Sequence, residues 1–93
     1  VQRDNIEATG FKIVGNPSTG QRVIMQMNIE ESTQISTVKI FDNSGSLVAQ
    51  KQVNARDLYN NEYILNGLNL SRGVHIVRFE TGGKKYTERL MVR

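Results

Sequence analysis

His75 is the only histidine in the chain, and the chain has no cysteine. A nucleophile, base and orienting acid drawn from this inventory reduce to Ser44 or Ser71, His75 and Asp42. Nothing in the spacing brings these groups together. Ser44 falls within Asp42-Asn43-Ser44-Gly45, a composition that already calls for a turn. One imidazole and no thiolate leave no basis for a histidine-rich or cysteine-based metal site. The expectation is a domain with no catalytic residues, no metal and no cofactor.

Nucleic-acid binding needs basic side chains interleaved with exposed aromatics. Phe79 and Tyr86 flank the last hairpin beside Lys84, Lys85 and Arg89. Those aromatics alternate with the period of a buried strand face, so core packing is the better reading and no nucleic-acid partner is expected. Asn69-Leu70-Ser71 matches an N-glycosylation acceptor, whereas Asn16-Pro17-Ser18 is disqualified by its proline.

Charge is distributed unevenly around a formal net value of +3. Residues 70–93 hold six basic groups (Arg72, Arg78, Lys84, Lys85, Arg89 and Arg93) against two acids, Glu80 and Glu88. A basic last third suits an anionic surface or an acidic groove on a partner. Solvated strand faces are the plainer explanation, because basic residues near sheet edges also deter aggregation.

The elements that must position these groups are short. Residues 1–10 are polar, end in glycine and read as a linker or leading segment. Phe11 to Val14 is a strand, stopped by Gly15-Asn16-Pro17-Ser18-Thr19-Gly20. Proline fixes φ there and removes a donor, and Gly20 permits a positive φ. Further strands follow over Gln21–Asn28, Thr37–Asp42 and Ser46–Val53. Gly45 closes the turn between the last two, as a type I turn followed by a bulge requires. Asn54 to Asn61 reads as loop, Glu62 to Leu65 as a short strand and Val74 to Thr81 as the most β-like segment. Gly82-Gly83 makes a two-residue hairpin turn into Lys84–Arg93.

About seven strands spaced by roughly ten residues, with no sustained helical period, predict an all-β sandwich or small barrel. Ninety-three residues bury one core. No apolar run approaches the ~20 residues of a membrane helix, so no direct membrane insertion is expected. The chain starts at Val1 without an initiator methionine or signal-peptide pattern, and is expected to be a piece of something longer.

One feature is unusual for a chain end, where residues ordinarily fray. In Tyr86-Thr87-Glu88-Arg89-Leu90-Met91-Val92-Arg93, the set Tyr86, Glu88, Leu90 and Val92 alternates against Thr87, Arg89, Met91 and Arg93 as in a well-specified strand. The Gly82-Gly83 turn pins that strand to residues 74–81. Val77, Phe79, Tyr86, Leu90 and Val92 then share a face, each worth ~1.5–3 kcal/mol of burial before entropy.

Four stretches in fixed order carry a resemblance. They are Asn16-Pro17-Ser18-Thr19-Gly20, the run Val38-Lys39-Ile40-Phe41-Asp42-Asn43-Ser44-Gly45-Ser46-Leu47-Val48, then Leu70-Ser71-Arg72-Gly73-Val74-His75-Ile76-Val77-Arg78-Phe79, and finally residues 85–93. Over residues 11–93 they resemble the C-terminal sorting domain of the type IX secretion system of Bacteroidetes. The sequence departs from the family pattern at Gly15 (often proline), Ser46 (commonly arginine or lysine) and His75 (usually tyrosine).

The resemblance implies an immunoglobulin-like antiparallel β-sandwich at the end of a larger cargo protein. It implies a non-catalytic secretion signal read by the outer-membrane translocon and its shuttle protein. A sortase-like peptidase then usually cleaves upstream, within or before residues 1–10, and the cargo is joined to anionic lipopolysaccharide. Localisation would run through the periplasm to the outer membrane, the cell surface or the medium. Candidate recognition residues are Gly73, Val74, Lys85, Leu90, Val92 and Arg93; Leu90 and Val92 are equally candidates for core packing. Asn16, Pro17, Gly20, Asp42, Gly45, Gly82 and Gly83 are candidate turn formers. The alternative is a β-sandwich adhesion, ligand-binding or envelope-signalling module that stays attached to its parent. An exposed edge strand beside a short hinge would also permit a domain-swapped homodimer.

Overall fold

The computed structural model describes residues 11–15, 20–27, 29 and 35–93. Within them, alternation of apolar and polar side chains produces seven strands: β1 (Phe11–Val14), β2 (Val23–Met27), β3 (Ser36–Phe41), β4 (Leu47–Val53), β5 (Glu62–Leu65), β6 (Gly73–Thr81) and β7 (Lys84–Val92). They form two antiparallel sheets, one in the order β1-β2-β5 and the other β4-β3-β6-β7. The expected all-β, immunoglobulin-like sandwich is the architecture found. The leading segment 1–10 and the turn residues Asn16 to Thr19, with Asn28 of the expected second strand, lie outside the described residues.

The core lies between the two sheets. Met25 and Val23 from one layer meet Val38, Ile40, Val77, Phe79 and Leu90 from the other. An aromatic column crosses that interface. The Phe11 ring stacks on Phe79 with centroids 5.3 Å apart, and Phe79 faces Tyr86 at 6.1 Å. Contacts of this kind contribute about 0.5–1.5 kcal/mol beyond the area they bury. Ser36 and Thr81, opposite each other on β3 and β6, are buried; the Ser36 hydroxyl donates to Thr81 Oγ1 at 2.7 Å. That bond removes the cost of two unsatisfied hydroxyls.

Both edge strands of the four-stranded sheet carry a charge in the core-facing register. Directly opposed residues share a face. Lys51 of β4 stands opposite buried Val38, and Glu88 of β7 opposite buried Val77. Both are exposed. An inward-facing charge at an edge opposes further strand addition.

Turns follow the chemistry of their residues. Gly45 N–H donates to the Asp42 carbonyl at 3.0 Å, Asp42 N–H donates to Ser46 O at 2.9 Å, and Gly45 has φ +91°. This is the expected type I turn with its glycine bulge. A second irregularity follows, since Ile40 pairs with Ala49 but Phe41 with Leu47, leaving Val48 as the extra residue. Gly82-Gly83 joins β6 to β7 with Thr81 opposite Lys84, as expected.

The stretch 54–61 is more ordered than a loop. Ala55–Asp57 forms one 3-10 turn, whose Asp57 carboxylate accepts from Asn54 N–H at 2.9 Å. Tyr59 and Glu62 then exchange both backbone hydrogen bonds at 2.9 Å around Asn60 and Asn61, with φ +52° and +62°. That is a two-residue hairpin turn with both central residues left-handed, which asparagine tolerates better than other side chains.

Candidate recognition surface

The last hairpin holds most of the sequence candidates. β6 and β7 pair without interruption from Gly73 opposite Val92 to Thr81 opposite Lys84. Leu90 and Val92 point into the core at 0% and 2% exposure, so their side chains form part of the fold's interior. Val74 lies half-buried on the opposite face, across from Met91 at 41% exposure. Lys85 is exposed opposite Glu80, and Arg93 is exposed beyond the strand. Gly73 opens β6 in open space, with nothing within 4 Å of where a Cβ would stand. The structure therefore brings Val74 and Lys85 onto the outer face, places Arg93 just past its end, and turns Leu90 and Val92 inward.

Gly20, from the first turn motif, reaches the same end of the molecule. It is buried at φ +89°, and its carbonyl accepts from Leu70 N–H at 3.0 Å. An added Cβ would lie 2.8 Å from Leu70 O and 2.9 Å from Val92 Cγ1. Gly20 thus packs directly on the last strand.

Of the residues considered for a hydrolytic triad, Ser44, Asp42 and His75 serve the scaffold. The Ser44 hydroxyl donates to Asp42 Oδ1 at 2.6 Å, and the backbone N–H groups of Ser44 and Ser46 donate to the same oxygen at 3.0 Å each. These bonds, the Ser44 hydroxyl foremost, hold the Asp42 carboxyl below its ordinary value of 3.8, and nearby His75 adds to the effect. His75 is 2% exposed, in the core-facing row opposite Leu90, with Nδ1 3.4 Å from Gly73 O. Ser71 is exposed on the loop before β6. Among the described residues no group of three or more His, Asp or Glu is placed to hold a metal.

The outer face of the four-stranded sheet was not singled out by the sequence. One row across it runs Leu47, Phe41, Ile76, Arg89; the next runs Gln50, Lys39, Arg78, Thr87. Leu47 is 49% exposed, with Val48 and Met91 also open to solvent. The Arg78 guanidinium lies 5.0 Å over the Phe41 ring. Glu80 takes Lys39 at 3.3 Å and Arg78 at 3.6 Å. This face therefore presents an apolar row beside a basic one. Alternation marked these positions as facing away from the core, but only sheet order shows which of them stand side by side.

A likeness to solved structures concerns the fold. The chain is 21% identical to CopC from Methylosinus trichosporium OB3b, with a TM-score of 0.56 over 82% of this chain and 78% of that one. Among curated proteins none matches the chain in sequence. The model of a family described as the secretion system C-terminal sorting domain matches residues 12–93, nearly the whole chain. The four motif stretches, the sandwich and that match agree: the chain belongs to the C-terminal sorting domains of the type IX secretion system.

Proposed function

We propose that this domain is a non-catalytic address label that carries a folded cargo to the outer-membrane translocon and its shuttle protein. Its removal by a sortase-like peptidase, upstream of β1, and transfer of the cargo to anionic lipopolysaccharide complete the route. Family membership implies export to the cell surface or the medium. The observation that supports the rest is the pinned last strand. β7 is paired along its whole length with β6, and its Leu90 and Val92 anchor it in the core. A signal read while the cargo is already folded must be ordered before capture. A preordered strand loses less conformational entropy on binding than a loose peptide.

Fusion of residues 1–93 to an unrelated folded reporter in a type IX host tests the reading. The reporter is expected outside the cell, and its retention in the periplasm would overturn the proposal. Mass spectrometry of the exported reporter then tests removal: peptides from β1 to β7 are expected to be missing from the surface form. Their persistence would show that the label stays attached.

A further inference from the structure

We infer that the outer face of the four-stranded sheet, built around Phe41, Leu47 and Ile76 with Lys39 and Arg78 beside them, is a docking surface for an acidic, partly apolar protein surface of the secretion machinery. The inference rests on the sorting-domain reading and adds which face is read and what chemistry reads it.

Three observations carry it. A solvent-facing row on an antiparallel sheet is ordinarily polar, yet here Leu47, Phe41 and Ile76 are consecutive neighbours across three strands. Met91 and Val74 extend the apolar area by one row on β6 and β7. Leu47 and Met91 are exposed while Phe41, Ile76 and Val74 are half-buried, and contiguous apolar surface rimmed by polar residues marks interaction sites.

The rim also has a sign. Lys39, Arg78, Lys85 and Arg89 share this face with one carboxylate, Glu80. An acidic partner gains from that surplus, whereas a second copy of the chain would meet its own charge. Arg78 over Phe41 places an arginine and an aromatic ring together, two residue types enriched in interfaces.

The other outer face provides the contrast. On the three-stranded sheet Val14, Ile24 and Ile64 form an apolar row, but the neighbouring row is Lys12, Gln26 and Glu62. That row has one charge of each sign, so it selects no partner by charge. The two faces thus give an internal control within one small domain.

The experiment uses the reporter fusion and the purified domain, with detergent-solubilised type IX translocon and shuttle protein as the binding probe. Leu47→Asp with Ile76→Asp is compared with Ile24→Asp and Ile64→Asp on the opposite face. Lys39→Gln with Arg78→Gln is a gentler variant that removes charge and leaves the apolar row intact. Native amide exchange confirms that each variant is folded.

The Leu47/Ile76 variant is expected to weaken binding at least about tenfold and to trap the reporter in the periplasm. Lys39→Gln/Arg78→Gln should weaken binding less and flatten its salt dependence. The Ile24/Ile64 variant should be exported like the wild type. Export of the wild type together with both face variants would overturn the docking surface and leave the sorting function standing. Failure of the wild-type fusion itself would remove both. If the Leu47/Ile76 variant does not fold, unchanged binding and salt dependence in the glutamine variant would refute the inference alone. Face-dependent binding to lipopolysaccharide vesicles, with translocon binding unaltered, would assign the face to lipid and contradict a protein partner. A concentration-dependent dimer lost in the same variants would assign it to a second copy, with the same consequence.

Discussion

At Gly20 a hydrogen stands where a Cβ would come within 2.8 Å of the Leu70 carbonyl oxygen and 2.9 Å of Val92 Cγ1. The left-handed φ adds a second penalty for any L side chain. Gly15 also has a positive φ, +73°, but nothing lies within 4 Å of its missing Cβ. Gly15→Ala is therefore expected to lower stability by about 1–2 kcal/mol from backbone conformation alone. Gly20→Ala should cost more, and its extra cost should fall on the anchoring of β7; denaturant unfolding of both variants measures the difference. Asp42 offers a pH test. Its carboxyl titrates below its ordinary value of 3.8 because Ser44 and Ser46 donate to it. A lowered folded pKa means that the turn's stabilisation is present above the unfolded value and is lost as pH falls through the folded one. The stability gap between wild type and Asp42→Ala is thus expected to be full near neutrality and to close below about pH 4. A gap that stayed constant down to acid would show that the carboxylate is not what holds the turn.

At the scale of elements, period-two alternation exposed most of the sandwich. Val23, Met25 and Met27 face inward as their spacing requires, and so do Val38, Ile40, Val77 and Phe79. Two places resisted for identifiable reasons. In β4 the extra residue Val48 shifts the alternation, and Lys51 occupies a core-facing position, so the strand's pattern is blurred. Between Asn54 and Asn61 the structure comes from capping by Asp57 and left-handed asparagines rather than from periodicity. The adjacent pair Asn60-Asn61 was the available signal for that hairpin turn. The recognition candidates divided along the same lines. Leu90 and Val92 belong to the core, and the outer apolar row was legible only once β3, β4 and β6 were known to be neighbours. On β7, Leu90→Ala should cost about 2–5 kcal/mol as a buried truncation. Met91→Ala, one residue along on the open face, should stay within about 1 kcal/mol. Lys51→Val removes the inward charge of an edge strand, and is expected to promote self-association of folded domain in light scattering.

The whole molecule reads as a scaffold for its own last strand. Gly20 packs on Val92, β1 stacks Phe11 on Phe79, and Phe79 in turn supports Tyr86. The four-stranded sheet displays one continuous outer face across β4, β3, β6 and β7. Ser44 and Asp42 are committed to the turn between β3 and β4, and His75 to the core. Native-state hydrogen exchange of the isolated domain tests the central claim most directly. Of the amides in Lys84–Val92, about every second one, those directed at β6, should exchange as slowly as the amides of β3. Exchange of the entire Lys84–Val92 segment at free-peptide rates, with β3 and β6 still protected, would contradict the account.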